Sequence, residues 1–234
     1  MTEPKKVTLW GASQSGKTSY LGALGLAALR QDGSEGYWRV TGADEATNDW
    51  LIARTLELSE RRFPSPNSIT DDCRFLFTQD TMSDSSQEFD WQDGEQRVAF
   101  EFRVLDHPGW LLNKREERSK EWWEILDHIL ECDGLAYLYD PQPKGQPLEQ
   151  RPPLWHLAQR AQETGKADSG GRLPHRLAVC VTKFDHPETF KKALDDRWIT
   201  QDTSPSRHPL PTDTRQYFEH VADSHVQEAI KSHF

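Results

Sequence analysis

The sequence predicts an α/β fold, with a mostly parallel central sheet and helices on both faces. Three observations point there. A short apolar strand, Lys6-Val7-Thr8-Leu9-Trp10, runs through a glycine-containing loop into a helical stretch over 19–29. Two further runs, Gly134-Leu135-Ala136-Tyr137-Leu138-Tyr139 and Leu177-Ala178-Val179-Cys180-Val181, have the length and composition of buried parallel strands. Helical patterns over 116–130 and 154–163 separate these runs, and strands alternating with helices imply right-handed crossovers.

The remaining elements follow in chain order. Tyr37-Trp38-Arg39-Val40 reads as a short extended segment. Residues 44–62 read as a helix whose apolar face, Ala46, Trp50, Leu51, Ala53 and Leu56, is imperfect, and Phe63-Pro64-Ser65-Pro66-Asn67 breaks it. Residues 73–78 and 97–105 alternate in the manner of paired strands, with a polar loop over 83–94 between them. The stretch 141–153 and the Gly170-Gly171 region read as polar loops rich in proline and glycine. After Asp185 the pattern fades: 204–214 is Pro-rich and read as exposed, and 213–233 reads as a terminal helix.

Composition narrows the function. Of 234 residues, 35% are hydrophobic and 28% charged, and mean hydropathy is -0.82, which suits a polar, soluble chain forming a single domain over 1–234. Nine Trp and ten Phe supply the bulk that the aliphatic content does not. No apolar run approaches the ~20 residues of a membrane span, and the first residues lead straight into a strand, so a cytoplasmic location is expected. Cys73, Cys132 and Cys180 sit at wide spacing in or beside core segments, as reduced thiols do. A net charge of -10 argues against broad nucleic-acid binding, which needs a basic footprint.

The chemistry starts in the first loop. Gly11-Ala12-Ser13-Gln14-Ser15-Gly16-Lys17-Thr18 has the spacing of a phosphate-binding P-loop, and Ser19 continues into the helix. Backbone N–H groups of such a loop point inward and the helix N-terminus adds partial positive charge, so a polyphosphate sits there favourably. Lys17, read as an otherwise exposed loop residue, reaches the β- and γ-phosphates, and the Thr18 hydroxyl ligates Mg²⁺.

Two later motifs discriminate among P-loop proteins. Asp106-His107-Pro108-Gly109 follows an apolar strand, where a Mg²⁺-associated aspartate and a γ-phosphate-sensing glycine belong. Thr182-Lys183-Phe184-Asp185 also lies at a strand end. In this order the sequence resembles the P-loop GTPases of the Ras and translation-factor class, over residues 6–185. The resemblance implies a G-domain-like fold binding GTP or GDP with Mg²⁺. It implies that Asp185 accepts hydrogen bonds from guanine N1–H and the 2-amino group, donors that adenine lacks. It makes Lys183 the residue whose stem covers the base, with Thr182 in place of the commoner asparagine. The threonine of the first switch is sought just before the predicted strand over 73–78, where Thr70 is the candidate Mg²⁺ ligand and Ser68 its rival. Gly11 and Asp106 stand 95 positions apart, so the helical segment about 44–66 looks like an insertion ahead of the first switch, as in some bacterial regulatory and conflict-system GTPases.

Departures from the family bear on mechanism. Trp110 stands where Ras-like enzymes carry a water-orienting glutamine, and an indole cannot activate water. Gln14 occupies the position of a potassium-binding asparagine found in one subset. His107, Arg115 and Arg118 are the nearby groups that could assist, but His107 reads more readily as a solvent-facing or packed side chain and the two arginines as a charged solvated face. No S-A-K-like loop and no clear sixth family strand appear between Phe190 and Phe234, so the domain closes differently or continues in a longer protein. The expected function is a GTP-dependent switch with slow hydrolysis that depends on a protein effector or activating partner. A GTP-binding scaffold without hydrolysis, and a P-loop ATPase or kinase, remain as alternatives.

Overall fold

The computed structural model describes residues 5–12, 14–29, 37–64, 71–80, 97–106, 120–141, 151–184, 186–199, 216–218, 222 and 224–234. Within them the chain runs β1 (Lys5–Gly11), α1 (Lys17–Leu29), β2 (Tyr37–Gly42), α2 (Glu45–Ser59), β3 (Asp71–Asp80) and β4 (Arg97–Asp106). It continues α3 (Lys120–Ile129), β5 (Gly134–Tyr139), α4 (Arg151–Glu163), β6 (Arg176–Val181), α5 (Pro187–Asp195) and α6 (Ser224–His233). The strands form one mixed sheet in the order β2-β3-β4-β1-β5-β6. β4, β1, β5 and β6 are mutually parallel, while β3 runs antiparallel to both β2 and β4. The expected α/β architecture, mostly parallel with helices on both faces, is therefore present.

Strand alternation distributes the apolar side chains over two cores. Along β5, Leu135, Tyr137 and Tyr139 join Trp10, Trp122, Leu126, Leu157 and Val226 under α3, α4 and α6. Ala136 and Leu138 face the other way and join Leu9, Leu21, Leu51, Phe75, Phe102 and Val104 under α1 and α2. A strand buried on both faces has to be apolar throughout, which is why β5 carries no polar residue until Asp140. The paired-strand reading of 73–78 with 97–105 is matched by the antiparallel register Cys73 opposite Val104 and Phe75 opposite Phe102.

Capping explains where α2 begins. Asp44 accepts a 2.8 Å hydrogen bond from Thr47 N–H, satisfying one of the unpaired donors of the first turn. That bond holds the Asp44 carboxyl below the usual carboxylate range. α2 lies directly on α1 because the contact is built on small residues: a β-carbon on Gly25 would come within 2.4 Å of Thr55 Oγ1.

Three sequence expectations need correction. α4 starts at Arg151, so Pro152 and Pro153 belong to a helix and not to the loop expected over 141–153. Proline is tolerated there because the first helical turn has no use for its missing N–H. α5, where the pattern was expected to fade, is a helix with Pro187 and Glu188 in its first turn and Thr189 and Ala193 buried one turn apart. The helix expected over 213–233 is interrupted: α6 begins at Ser224, and Ala222 lies in a bend before it. Of the cysteines, Cys73 and Cys132 are buried and Cys180 is half-buried, all as free thiols. Burial pushes the Cys132 thiol up to about 11.

Two buried histidines give the fold a pH dependence. Burial lowers the proton affinity of His128, and Arg103 lowers it further, against smaller opposite effects of Asp72 and Glu131. Burial also dominates at His175, outweighing its 2.8 Å hydrogen bond to the Ile129 carbonyl. In both cases the unfolded chain binds the proton more readily, so stability is full above the ordinary histidine range and falls as pH drops through it. The melting temperature is expected to fall between about pH 7.5 and 5.5. His128→Leu should flatten that slope; an unchanged slope would exclude His128 as a source.

Candidate functional site

The connection after β1 leads through α1 to β2, at the sheet edge on one side of it, and the connection from β4 leads through α3 to β5 on the other. β1 and β5 therefore flank the switch point of the parallel strands, and ligands of open α/β sheets lie beyond the carboxyl ends at such a point. The register puts Gly11 opposite Leu138, and Leu138 opposite Cys180. β4 pairs with β1 as Thr8 opposite Arg103, so three residues further on Asp106 comes level with Gly11. The ends of β4, β1, β5 and β6 thus form one rim.

The loop between β1 and α1 is shaped by its glycines. A β-carbon on Gly11 would meet Ser15 Oγ at 2.4 Å and the Leu138 carbonyl at 2.9 Å, so only glycine lets the chain turn against β5. Gly16 has φ 89°, a conformation that L side chains rarely adopt. A β-carbon there would meet no atom of the described residues within 4 Å. Gln14 is also left-handed, at φ 60°, and exposed. Ser15 is fully buried and its hydroxyl lacks a hydrogen-bond partner among the described residues. Thr18 and Ser19 follow in the first turn of α1, both half-buried.

Lys17 is not the exposed loop residue expected from sequence. It opens α1 with 6% of its surface accessible, and its ammonium donates to the carbonyls of Gly11 at 3.2 Å and Ala12 at 3.1 Å. The folded loop turns these carbonyls toward the helix N-terminus, and the lysine charge satisfies them. A buried cation beside a helix N-terminus is an arrangement to which an anion can add, because both carry positive charge.

At the end of β6, Thr182 is fixed by two bonds to the Tyr139 carbonyl, from its N–H at 2.8 Å and its hydroxyl at 3.1 Å. Lys183 has φ 52° and forms an ion pair with Asp140, which follows β5 and is 2% exposed. Sequence reasoning missed Asp140, although a carboxylate directly after a wholly apolar strand was a usable signal. Tyr20 on α1 connects the two regions through its hydrogen bond to Cys180 on β6; its phenol is pushed up to about 12, first by burial and then by Cys180.

Lys17 and the Thr182-Lys183 pair are thus brought to one rim, on either side of β5. Asp106 closes β4 on the same rim, opposite Asp71, the first residue of β3. Ser13, Ser68, Thr70, His107, Gly109, Trp110, Arg115, Arg118 and Asp185 lie outside the described residues. No helix among the described residues is long and apolar enough to cross a membrane.

No protein-family model matches this chain, and no curated protein matches it. Among solved structures, a crystal structure of a Thermus thermophilus protein is similar over 97% of this chain, at 12% sequence identity and a TM-score of 0.35. The chain spans 31% of that protein's length. At this level of similarity neither fold nor function carries across.

Proposed function

We propose that this chain is a guanine-nucleotide-binding switch of the P-loop GTPase kind, in which GTP orders two switch segments and slow hydrolysis releases them. One observation carries the reading. The Gly11-to-Thr18 loop and the Thr182-Lys183 pair, distant in sequence, lie at the carboxyl ends of β1 and β6 with only β5 between them. Further support comes from the left-handed Gly16 and the buried Lys17 charge at the start of α1, which suit a polyphosphate. Against a minimal domain of this kind, β2 and α2 are the added elements.

The donor set suits Mg²⁺: Thr18, Asp106 and Thr70 all offer oxygen, which hard cations require. When bound, the ion supplies positive charge to the phosphate oxygens. The chain's own residues do the rest. Loop N–H groups and Lys17 hold the β- and γ-phosphates and stabilise charge as water attacks the γ-phosphate. The Asp185 carboxylate accepts from the two guanine donors, and the Lys183 stem covers the ring. Trp110 has no group to take a proton from water, so turnover in isolation is slow and an activating protein partner supplies the missing group.

The deciding experiment is competition. GTP should displace a fluorescent GTP analogue from the purified protein at concentrations at least ~100-fold lower than ATP requires, because adenine leaves the Asp185 carboxylate unpaired. Equal displacement by both would move the chain to the ATPase or kinase class. Displacement by neither would remove the nucleotide site.

A further inference from the structure

The pair at the end of β6 does more than neutralise a buried charge. Asp140 sits two residues beyond Leu138, which stands opposite Gly11, so its backbone lies on the same rim as the end of β1. It receives the Lys183 ammonium from the neighbouring strand end. Lys183 is also fixed at its backbone: its carbonyl accepts a 3.0 Å hydrogen bond from His186 N–H, and Thr182 before it is bonded twice to Tyr139. A lysine side chain ordinarily keeps large rotamer freedom. Here both ends are held, so the methylenes between them span a fixed line along the rim.

We propose that Asp140 is a positioning residue for the nucleobase, holding Lys183 so that its methylene stem forms a preset floor under the guanine ring. This rests on the guanine-nucleotide reading above. Stability alone is a poor reason for the pair, since desolvating the Asp140 carboxylate offsets much of its attraction to the half-buried Lys183. Preorganisation is a better one: a side chain ordered before binding does not lose that freedom when the ligand arrives.

The test compares GTP with inorganic tripolyphosphate, which has no base, by calorimetry on wild type and Asp140→Asn. Asp140→Asn should weaken GTP about tenfold and leave tripolyphosphate unchanged. In a Lys183→Met background the same substitution should have no further effect, because the residue it acts through is gone. Equal losses for GTP and tripolyphosphate, or a full effect in the Lys183→Met background, would overturn the proposal. If Asp140→Asn fails to fold, Asp140→Glu, which keeps the charge but displaces the carboxylate by one methylene, is judged by the same two ligands. Wild-type protein that binds tripolyphosphate but shows no preference for GTP sinks the guanine reading and this proposal together. Wild-type preference for GTP that survives Asp140→Asn intact sinks the proposal alone.

Discussion

Lys17→Ala is expected to weaken GTP binding about a thousandfold, the largest effect of any single substitution in this chain. Lys17 is 6% exposed and its ammonium donates to the Gly11 and Ala12 carbonyls, so its charge is held inside the loop. Without it a triphosphate faces the loop with backbone N–H groups alone. Removing one preorganised charged donor from such a site costs roughly 4 kcal/mol at the upper end. Titration calorimetry with GTP and with tripolyphosphate measures it, and both ligands should weaken alike because the lysine acts on phosphate. Unchanged affinity for either ligand would show that the loop is not the phosphate site. The substitution also removes two bonds that latch the loop, so a melting curve must accompany the titration. A drop of only a few degrees is expected, since the hydrophobic contacts of α1 are untouched.

Gly42→Ala is expected to be the most damaging small substitution for the fold. A β-carbon there would sit 2.2 Å from Asn48 N and 2.6 Å from Asn48 Cα, and both are backbone atoms of the first turn of α2. Backbone cannot rotate aside as a side-chain tip does. α2 would have to lift from the end of β2, where Gly42 N–H donates to Asn48 Oδ1 at 3.3 Å. Its buried Leu51 would be displaced from α1 in turn. Overpacking of this severity costs about 3 kcal/mol, or a fall of about 10 °C in Tm for a chain of this size. Gly134→Ala provides the contrast. A β-carbon there meets ordinary contacts at 3.5 Å, and its effect should stay within about 1 kcal/mol. Thermal melts of the two variants side by side decide the matter: equal stability would mean that the β2–α2 junction yields where the geometry says it cannot.

These two glycines show how sequence and structure divided the information. Period and run length made the layered fold legible. β5 is apolar at every position because both of its faces are covered, and β3 and β4 alternate because they pair. The loop after β1 was legible because Gly11 and Gly16 at fixed spacing reflect backbone geometry, which is a local requirement. α5 was legible in principle: Pro187 and Glu188 mark its start, but its apolar positions are few and Pro-rich sequence follows. What the sequence by itself determined, then, is the class of fold and the order of its elements.

Only the tertiary structure decided which motifs share a rim, and on which side of which strand. Sheet order is a long-range property: the apolar runs of β1, β5 and β6 look alike in sequence, and nothing local says that β5 lies between the other two. For Asp140 the apolar run before it is a local signal, but its partner is not: only the placing of β6 lays Lys183 against it. The same holds for Gly42, which breaks no local rule and is required by a helix that folds back onto its strand. Such constraints arise from contacts between segments far apart in the chain, where spacing carries no signal and only packing fixes the partner.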